Sequence, residues 1–294
     1  MNELRSNFAF TFTVAVFCLH FSWLSHAADS AANDEQQQEA IEEVKSVEDR
    51  SILKRRVWLD TEWNKFKDGR SELEETFGWR WTWPISKPQD WDVRLEIPLR
   101  QHVAGDDPRD KDKQGLGDIE LGTGTAFRLS KSWRVGGGLE LRTPSGSLDV
   151  LSDDTWRIQE YGSIGWDATS WLTISPAFEY NQSFIEEHGA SRRHFLETFL
   201  PVTVLLPNSW SLTARYEARV DFENDNEVIH SGKFSMNKLF GDVPLNMGVS
   251  IEKPFNSDAK DFQVNLVLTY YFSSRKDKLT NRIFRNLFRR EDDN

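Results

Sequence analysis

The sequence predicts an all-β fold: a transmembrane antiparallel β-barrel of about twelve strands, with ten strands as the fallback count. Three observations favour it. Apolar and polar residues alternate with a period of two in many segments, a tryptophan recurs at every second turn, and short turns alternate with longer, more charged loops. The alternation also explains how a chain with 13% aromatic residues has a mean hydropathy of only -0.59, because one face of each strand contacts an apolar phase and the other contacts water.

The first 27 residues have the pattern of a signal peptide. Arg5 supplies a basic start, an apolar run covers residues 8–24, and small residues precede a cleavage site before Ala28. A signal anchor is the alternative, because the run is near the minimum length of a membrane span. The only cysteine, Cys18, lies in this segment, so the mature chain is expected to contain no disulfide, cysteine nucleophile or cysteine metal ligand.

Residues 28–55 are predicted to form an acidic, flexible leader with some helical tendency. The stretch up to Arg50 is rich in Gln, Glu and Ala and contains few apolar residues. Because Ile41, Val44 and Val47 are thinly spaced at helical intervals, a short helix that binds a partner is the alternative.

Strand patterns follow the leader and bound the predicted barrel at residues 56–272. In residues 72–83 one parity is mostly aromatic and the other is polar or small, and this pattern recurs in segments about as long as a tilted membrane strand. The weakest candidate, 57–66, is needed to bring the count to twelve. The predicted strands are 57–66, 72–83, 91–100, 118–129, 135–141, 156–166, 172–180, 196–206, 212–222, 228–236, 245–251 and 262–272.

The tryptophans at every second turn predict an interfacial aromatic girdle, because an indole ring prefers the boundary between apolar and wet phases. The girdle residues are Trp91, Trp133, Trp171 and Trp210, at spacings of 42, 38 and 39 residues.

The connections next to these tryptophans are short, whereas the alternate connections 102–117, 143–155 and 185–193 are longer and more charged. Short turns at the periplasmic rim and long loops outside are typical of outer-membrane barrels. A soluble periplasmic β-sandwich also has alternating strands and is the structural alternative. The length and regularity of the strands and the recurring tryptophans favour the barrel.

Two short motifs carry a family resemblance. Gly-Leu-Gly-Asp at residues 115–118 runs into an alternating strand, and Arg142-Thr143-Pro144-Ser145-Gly146 follows one hairpin later. On these motifs, and on the overall pattern of 73–272, the chain resembles the outer-membrane transporters grouped as the phenol-degradation MetA-pathway family. The resemblance implies a barrel that carries small apolar or aromatic compounds across the outer membrane. The chain departs from that pattern by continuing after its final aromatic strand.

The polar parity of the strands is predicted to line the lumen, and its positive and negative charges are nearly balanced. These charges are interpreted either as a structural ion-pair network that fills the lumen or as a polar pore with an arginine ladder that guides anions. The pore-lining candidates are Arg128, Arg134, Arg142, Arg215, Arg219, Glu120, Glu140 and Glu217.

The predicted function is passive passage of small molecules, with the solute class left open among apolar, aromatic and anionic compounds. An outer-membrane lipid hydrolase is an alternative, but His230 and Ser231 point to opposite faces of a strand and no catalytic motif is found, so no catalytic residue, cofactor or metal is predicted. A structural or adhesion barrel is the other alternative. Its acidic loop, residues 105–113, lacks the pattern of a calcium site and is interpreted as solvated charge.

The predicted location is the outer membrane of a Gram-negative bacterium, after export. The expected partners are outer-membrane lipid, a small-molecule solute and the barrel-assembly machinery, which would bind the C-terminal strand. A net charge of -11 argues against nucleic acid.

Residues 273–294 are predicted to form a basic amphipathic helix that caps the barrel, lies on lipid, is docked for stability alone or is frayed in solution. Its apolar side carries Leu279, Ile283, Phe284, Leu287 and Phe288, and its basic side carries Lys278, Arg282, Arg285 and Arg289.

Overall fold

The structure, a computed structural model, describes residues 41–47, 49–105, 111–148, 151–240, 243–257 and 260–272. The predicted signal peptide, residues 28–40 of the predicted leader and the predicted C-terminal helix lie outside these ranges. Residues 41–45 are helical. Among the described residues, no helix is both long and apolar enough to cross a membrane.

The described residues form fourteen strand segments in one antiparallel sheet. They are β1 (Arg56–Phe66), β2 (Ser71–Ser86), β3 (Gln89–Val103), β4 (Lys113–Leu116), β5 (Glu120–Arg128), β6 (Trp133–Arg142), β7 (Thr155–Asp167), β8 (Leu172–Ile174), β9 (Ala177–Glu186), β10 (His194–Leu206), β11 (Trp210–Asp221), β12 (Glu227–Phe240), β13 (Leu245–Pro254) and β14 (Lys260–Tyr271).

The sheet closes on itself because β1 pairs with β14, in a register that runs from Arg56 opposite Tyr271 to Phe66 opposite Lys260. Both β4 and β5 pair with β3, and both β8 and β9 pair with β7 and β10, so each of these two pairs is one interrupted strand of the wall. The described chain therefore forms a closed barrel of twelve wall strands, as the sequence predicted, and the fallback count of ten is wrong. Closure leaves no unpaired sheet edge in an apolar environment.

The two interruptions have local causes. Pro176 lacks a backbone N–H, so it cannot donate to the hydrogen-bond ladder, and the strand predicted at 172–180 breaks beside it. The carbonyl of Pro176 still accepts a hydrogen bond from Ile164 N at 2.9 Å. The second break, at residues 117–119, leaves Asp118 free to bind a neighbouring loop instead of continuing the ladder.

The apolar parity of the strands faces outwards and the polar parity faces the lumen. In β2, Phe77 and Trp81 are exposed, whereas Thr76, Arg80 and Thr82 on the other parity are buried. Because side chains alternate along a strand, a one-residue shift of register would reverse every one of these positions.

Aromatic residues also occur inside the barrel, which the simple division into an apolar outer face and a polar lumen did not predict. Phe195, Tyr161 and Tyr271 are buried on the lumen side. Phe195 and Tyr161 each lie beneath an arginine side chain, with distances of 3.8 Å from Arg219 Cζ and 5.6 Å from Arg94 Cζ to the ring centroids. The rings therefore cover the apolar faces of guanidinium groups within a charged lumen.

The barrel has two different ends. We call the end with the connections 87–88, 129–132, 168–171 and 207–209 the turn end, and the opposite end the loop end. The four predicted girdle residues all lie at the turn end on the outward parity. Trp133 stacks on Trp166 with 5.5 Å between ring centroids, and Lys238 Nζ lies 5.4 Å from the ring of Trp210.

The outward parity generates a stability prediction. Phe77 lies near the middle of β2 and is 50% exposed, whereas Ile85 lies at the turn end of the same strand and is 54% exposed. We expect Phe77→Arg to lower the free energy of unfolding by about 2–4 kcal/mol, and Ile85→Arg by no more than about 1 kcal/mol, because the cost of a charge on a barrel surface falls from the bilayer midplane towards the interface. Guanidinium unfolding in lipid vesicles measures both values. Equal losses would contradict a membrane-spanning orientation.

Candidate functional site in the barrel lumen

Residues 41–47 and 49–55, which directly precede β1, fold into the turn end of the barrel, and we call this segment the plug. Glu43, Val44 and Lys45 are buried, and Val44 packs against Leu239 and Tyr271 of the wall. The described part of the predicted flexible leader is therefore packed against the wall. The structure differs from the expectation because the partners of this weakly apolar segment are lumen side chains far away in the sequence.

Buried ion pairs connect the plug to the wall. Lys45 Nζ lies 2.7 Å from Asp167 Oδ1, and Asp49 Oδ2 lies 2.9 Å from Arg134 Nη2. Arg134 Nη1 also binds Asp167 at 2.6 Å, so the two pairs form one network. Removing one member of such a buried pair leaves an uncompensated charge, which costs about 3–5 kcal/mol.

Arg50 carries the plug deepest into the lumen. It forms ion pairs with Glu140 of β6 and Glu179 of β9, and its Cζ lies 5.2 Å from the ring centroid of Tyr161. Glu140 also pairs with Arg94 of β3. The plug is therefore part of the same charge network that links β3, β6 and β9.

Two glycines allow the plug to approach the wall this closely. A methyl group at Gly136 would lie 2.9 Å from Ser51 Cα, and one at Gly165 would lie 2.5 Å from Asp49 Oδ2 and 2.6 Å from Ser51 Oγ. Gly136 belongs to the triplet 136–138 of β6. Of the triplet, Gly136 provides space for the plug, whereas Gly138 makes room for Tyr161 Oη and the neighbouring strand β5.

Glu42 links the two ends of the plug to each other and to the wall. Its carboxylate binds Lys54 Nζ at 2.7 Å and also pairs with Arg128 at the end of β5. Burial raises the pKa of Glu42, but Lys54 and Arg128 more than offset this effect and lower the pKa from 4.5 to about 2.

The middle of the lumen contains a second buried pair. Arg80 Nε lies 2.8 Å from Asp92 Oδ2, and both side chains are almost fully buried. On the far side of the lumen, Arg215 binds Glu217 at 2.9 Å and Glu252 at 3.4 Å. Ion pairs therefore occur on both sides of the barrel at this level.

The inward surface of β11–β14 contains many neutral polar residues, in contrast to the charged wall around the plug. Side-chain atoms of Ser211, Ser235 and Asn246 have no hydrogen-bond partner among the described residues, so they present donors and acceptors to the lumen. The buried neutral residues of this surface are Ser211, Thr213, Ser231, Ser235, Asn237, Asn246, Ser250, Gln263, Asn265 and Thr269.

A polar cavity of about 480 Å³ occupies the loop end of the lumen. It is lined by side chains from β1, β2, β3, β6, β7, β9, β10 and β11 and by residues 151–153 of the loop between β6 and β7. The cavity is therefore bounded by eight of the twelve wall strands and by one folded loop.

Asp118 holds that loop in place. Its carboxylate is fully buried and accepts hydrogen bonds from Gly146 N at 3.1 Å, Ser152 Oγ at 2.7 Å and Asp153 N at 2.7 Å. The Gly-Leu-Gly-Asp motif and the Pro-Ser-Gly motif, which are separate in the sequence, thus form one structural unit.

The loop in turn places Asp153 among three arginines. Its carboxylate oxygens lie 3.6 Å from Arg142, 3.4 Å from Arg157 and 3.6 Å from Arg193. Burial raises the pKa of Asp153, but the surrounding arginines lower it below its ordinary value. Asp153 therefore remains a carboxylate at neutral pH and fixes the positive side of the cavity.

The five predicted pore-lining arginines do not lie together as a single ladder. Arg128 and Arg134 lie at the turn end, Arg215 lies in the middle, and Arg142 and Arg219 lie at the loop end. Each has a carboxylate within 4 Å, since Arg142 pairs with Glu120 and Arg219 Nη1 lies 3.7 Å from Glu197.

The three predicted acidic candidates are likewise paired. Glu120 contacts Arg142, Glu140 contacts Arg94, and Glu217 contacts Arg215. The strand register explains the first contact, because Glu120 of β5 lies directly opposite Arg142 of β6.

Sequence reasoning missed the plug residues Asp49 and Arg50 and the lumen-facing Phe195. A signal existed for Phe195, which has the same parity as Glu197 in its strand. No local signal existed for Asp49, because its partner Arg134 is 85 residues away.

The residues considered for lipid hydrolysis are not brought together. His230 faces outwards and its Nδ1 lies 2.6 Å from Tyr216 Oη, whereas Ser231 faces the lumen and its hydroxyl donates to Glu252 at 3.2 Å. Within the described ranges, no three or more His, Cys, Asp or Glu side chains are grouped to hold a metal ion.

The fold and the polar lumen define a twelve-stranded β-barrel of the outer-membrane type. No protein family and no curated protein matches the sequence. Among solved structures, a COG4313 outer membrane channel from Pseudomonas putida F1 superposes with a TM-score of 0.66 at 12% identity, over 75% of this chain and 96% of that chain. The NanC porin superposes with a TM-score of 0.51 at 11% identity, over 73% of this chain and 98% of that one. The translocator domain of autotransporter NalP from Neisseria meningitidis superposes with a TM-score of 0.50 at 11% identity, over 84% and 99%.

The shifted pKa of Glu42 generates a pH prediction. A carboxylate with a lowered pKa stabilises the docked plug fully above its ordinary pKa of 4.5 and loses that contribution as the pH falls towards about 2. Relative to the denatured protein at the same pH, we expect pepsin to cleave the plug near Ile52 and Leu53 faster at pH 2 than at pH 4. Glu42→Gln should reduce this difference by making cleavage at pH 4 faster. An unchanged pH profile in this variant would contradict the assignment.

The hydrogen bonds of Asp118 generate a second prediction. We expect Asp118→Ala to expose the loop 143–154 to thermolysin, which cleaves before leucines such as Leu148 and Leu151, while the barrel remains folded, because three hydrogen bonds to one buried carboxylate are lost. The matched control is Asp112→Ala, which removes one exposed contact with Ala104 N and should leave the loop protected. Mass spectrometry of the fragments identifies the cleaved bond, and equal cleavage of both variants would refute the role of Asp118.

Proposed function

We propose that the protein is a passive outer-membrane channel for small solutes, with the turn end facing the periplasm. The observation that carries this proposal is a polar lumen, inside an apolar outer surface, that opens into a cavity of about 480 Å³ and is filled at the other end by the chain's own plug. Two of the similar solved structures are described as an outer membrane channel and as a porin, which supports the proposal.

The plug is the constriction of the proposed channel. Its buried ion pairs with Arg134, Glu140, Asp167 and Glu179 hold it against β6, β7 and β9. The neutral polar residues of β11–β14 lie elsewhere on the circumference and offer hydrogen-bonding groups to a solute. Solutes are proposed to pass between the plug and this surface, or through the space that the plug leaves when it moves.

We also propose membership of the phenol-degradation MetA-pathway family. The support is that its two characteristic motifs are joined through Asp118 into one unit that shapes the cavity. The proposal also includes export by the signal peptide and contact with outer-membrane lipid. The barrel-assembly machinery is proposed to recognise β14, because this strand ends in the aromatic residues Tyr270 and Tyr271.

A cross-link tests the role of the plug. Val44 of the plug packs against Leu239 of the wall, so cysteines at these two positions can be joined by a short bifunctional thiol reagent. We expect cross-linked V44C/L239C to transport erythritol into proteoliposomes more slowly than the untreated double variant, because the cross-link prevents plug movement. V44C alone, treated with the same reagent, is the control and should match wild type. Equal fluxes in the cross-linked and untreated double variant would show that plug movement does not limit passage.

The same vesicles distinguish the channel from a lipid hydrolase. We expect erythritol flux well above that of protein-free vesicles and no release of fatty acid. Fatty-acid release that disappears in His230→Ala would instead favour the enzyme.

A further inference from the structure

The cavity at the loop end has walls of opposite charge. Its volume, about 480 Å³, is in the range of pockets that hold small organic ligands. The cavity faces the loop end, and the plug lies beyond it towards the turn end. A solute that enters from the loop end therefore meets this cavity before it meets the plug.

Carboxylates dominate one wall. Glu62 of β1 and Glu72 and Glu74 of β2 all line the cavity. Arg100 of β3 binds Glu74 at 2.5 Å, and His102 Nδ1 lies 3.6 Å from Glu72. Three carboxylates therefore share one arginine on this wall.

Guanidinium groups outnumber carboxylates on the other wall. Arg142, Arg157, Arg193 and Arg219 line the cavity there, together with the carboxylates of Asp153, Glu179 and Glu197. Arg142, Arg157 and Arg193 share Asp153, and Arg219 Nη1 lies 3.7 Å from Glu197. Four positive groups therefore occur with three carboxylates on this wall, whereas the first wall has one arginine for three carboxylates.

The barrel geometry places these two walls opposite each other. In the closed order of twelve wall strands, β1 and β2 are the first and second, and β9 and β10 are the seventh and eighth. Strands that are six positions apart in a ring of twelve face each other across the lumen. The carboxylates of β1 and β2 thus face, across the cavity, a wall from β6 to β11 on which arginines outnumber carboxylates by one.

The cavity also contains a polar side chain that suits a ligand. Asn181 of β9 is 1% exposed, lines the cavity, and neither its Oδ1 nor its Nδ2 has a hydrogen-bond partner among the described residues. Next to it, Arg219 Cζ lies 3.8 Å from the ring centroid of Phe195. A ligand with both donor and acceptor groups would satisfy the amide, whose burial without partners is unfavourable.

We propose that this cavity selects dipolar solutes that carry an ammonium and a carboxylate group, of the size of amino acids or short peptides. The ammonium group binds near Glu62 and Glu72, and the carboxylate binds near Arg193 and Arg219. A simple anion or cation is attracted by one wall and repelled by the other, whereas a dipolar solute is attracted by both. This inference rests on the proposed channel function and specifies its substrate class.

Four probes with four carbon atoms test the inference: 4-aminobutanoate, butanedioate, butane-1,4-diamine and erythritol. Each is isotopically labelled, and its flux into proteoliposomes is measured per folded channel. We expect the flux of 4-aminobutanoate at low concentration to exceed those of the other three by about fivefold, an affinity difference of roughly 1 kcal/mol. Its flux should also saturate with concentration.

Paired variants locate the selectivity. E62Q/E72Q should reduce the flux of 4-aminobutanoate and raise that of butanedioate, and R193Q/R219Q should reduce the flux of 4-aminobutanoate and raise that of the diamine. The matched control is Arg192→Gln, whose side chain pairs with Glu223 and does not line the cavity. It should leave the order of the four fluxes unchanged.

The outcomes separate the inference from the proposed function. If wild type passes erythritol no faster than protein-free vesicles, both the channel and the inference fail. If erythritol passes but 4-aminobutanoate has no advantage, or keeps its advantage in both double variants, only the inference fails. Heat-modifiable migration on a gel confirms folding of each variant. If a double variant does not fold, the single change Glu72→Gln or Arg193→Gln replaces it, because these two side chains are well exposed.

Discussion

The lumen of this barrel depends on the pairing of buried charges. Arg80, Arg94 and Arg134 have very little solvent contact, and each lies against a carboxylate from another segment. A guanidinium group in such a place is tolerated only with partners that replace its hydration. The pairs also couple distant segments, because Arg94 binds Glu140 across the strands and Arg134 binds Asp49 of the plug.

This constraint explains why the plug belongs inside the barrel. Glu140 and Glu179 are buried wall carboxylates that receive Arg50, and Asp167 receives Lys45. An empty turn end would leave these groups with fewer partners and would expose the glycine surface around Gly136. The plug thus neutralises charged groups of the wall and fills the space beside them. Glycine at positions 136 and 165 permits this close packing, which a larger residue would prevent.

Alternation along the strands predicted most of the fold, whereas the plug and the cavity depend on contacts that local patterns do not record. The strand predicted at 212–222 differs from β11 (Trp210–Asp221) by only one or two residues at its ends, because lipid on one side and polar groups on the other impose a period of two. Even the weak candidate at 57–66 is a wall strand.

The site was less predictable than the fold. Arg142 and Arg219 were recognised as lumen residues from parity alone, but their partners follow from register and from the folded loop that carries Asp153. Asp118 was recognised as part of a motif and as a lumen-facing carboxylate, but its structural role was not, since the hydrogen bonds that explain it reach residues 28 to 35 positions away.

The path of the plug has a topological consequence. The described segment starts at the turn end near Glu42, reaches its deepest point at Arg50 and returns to the turn end before β1 begins at Arg56, and the contact between Glu42 and Lys54 at 2.7 Å joins its two limbs. A doubled-back segment with both limbs at one mouth can leave and re-enter a closed barrel without threading a chain end through it. Its release therefore needs no strand to separate, so the barrel can remain intact while its interior rearranges.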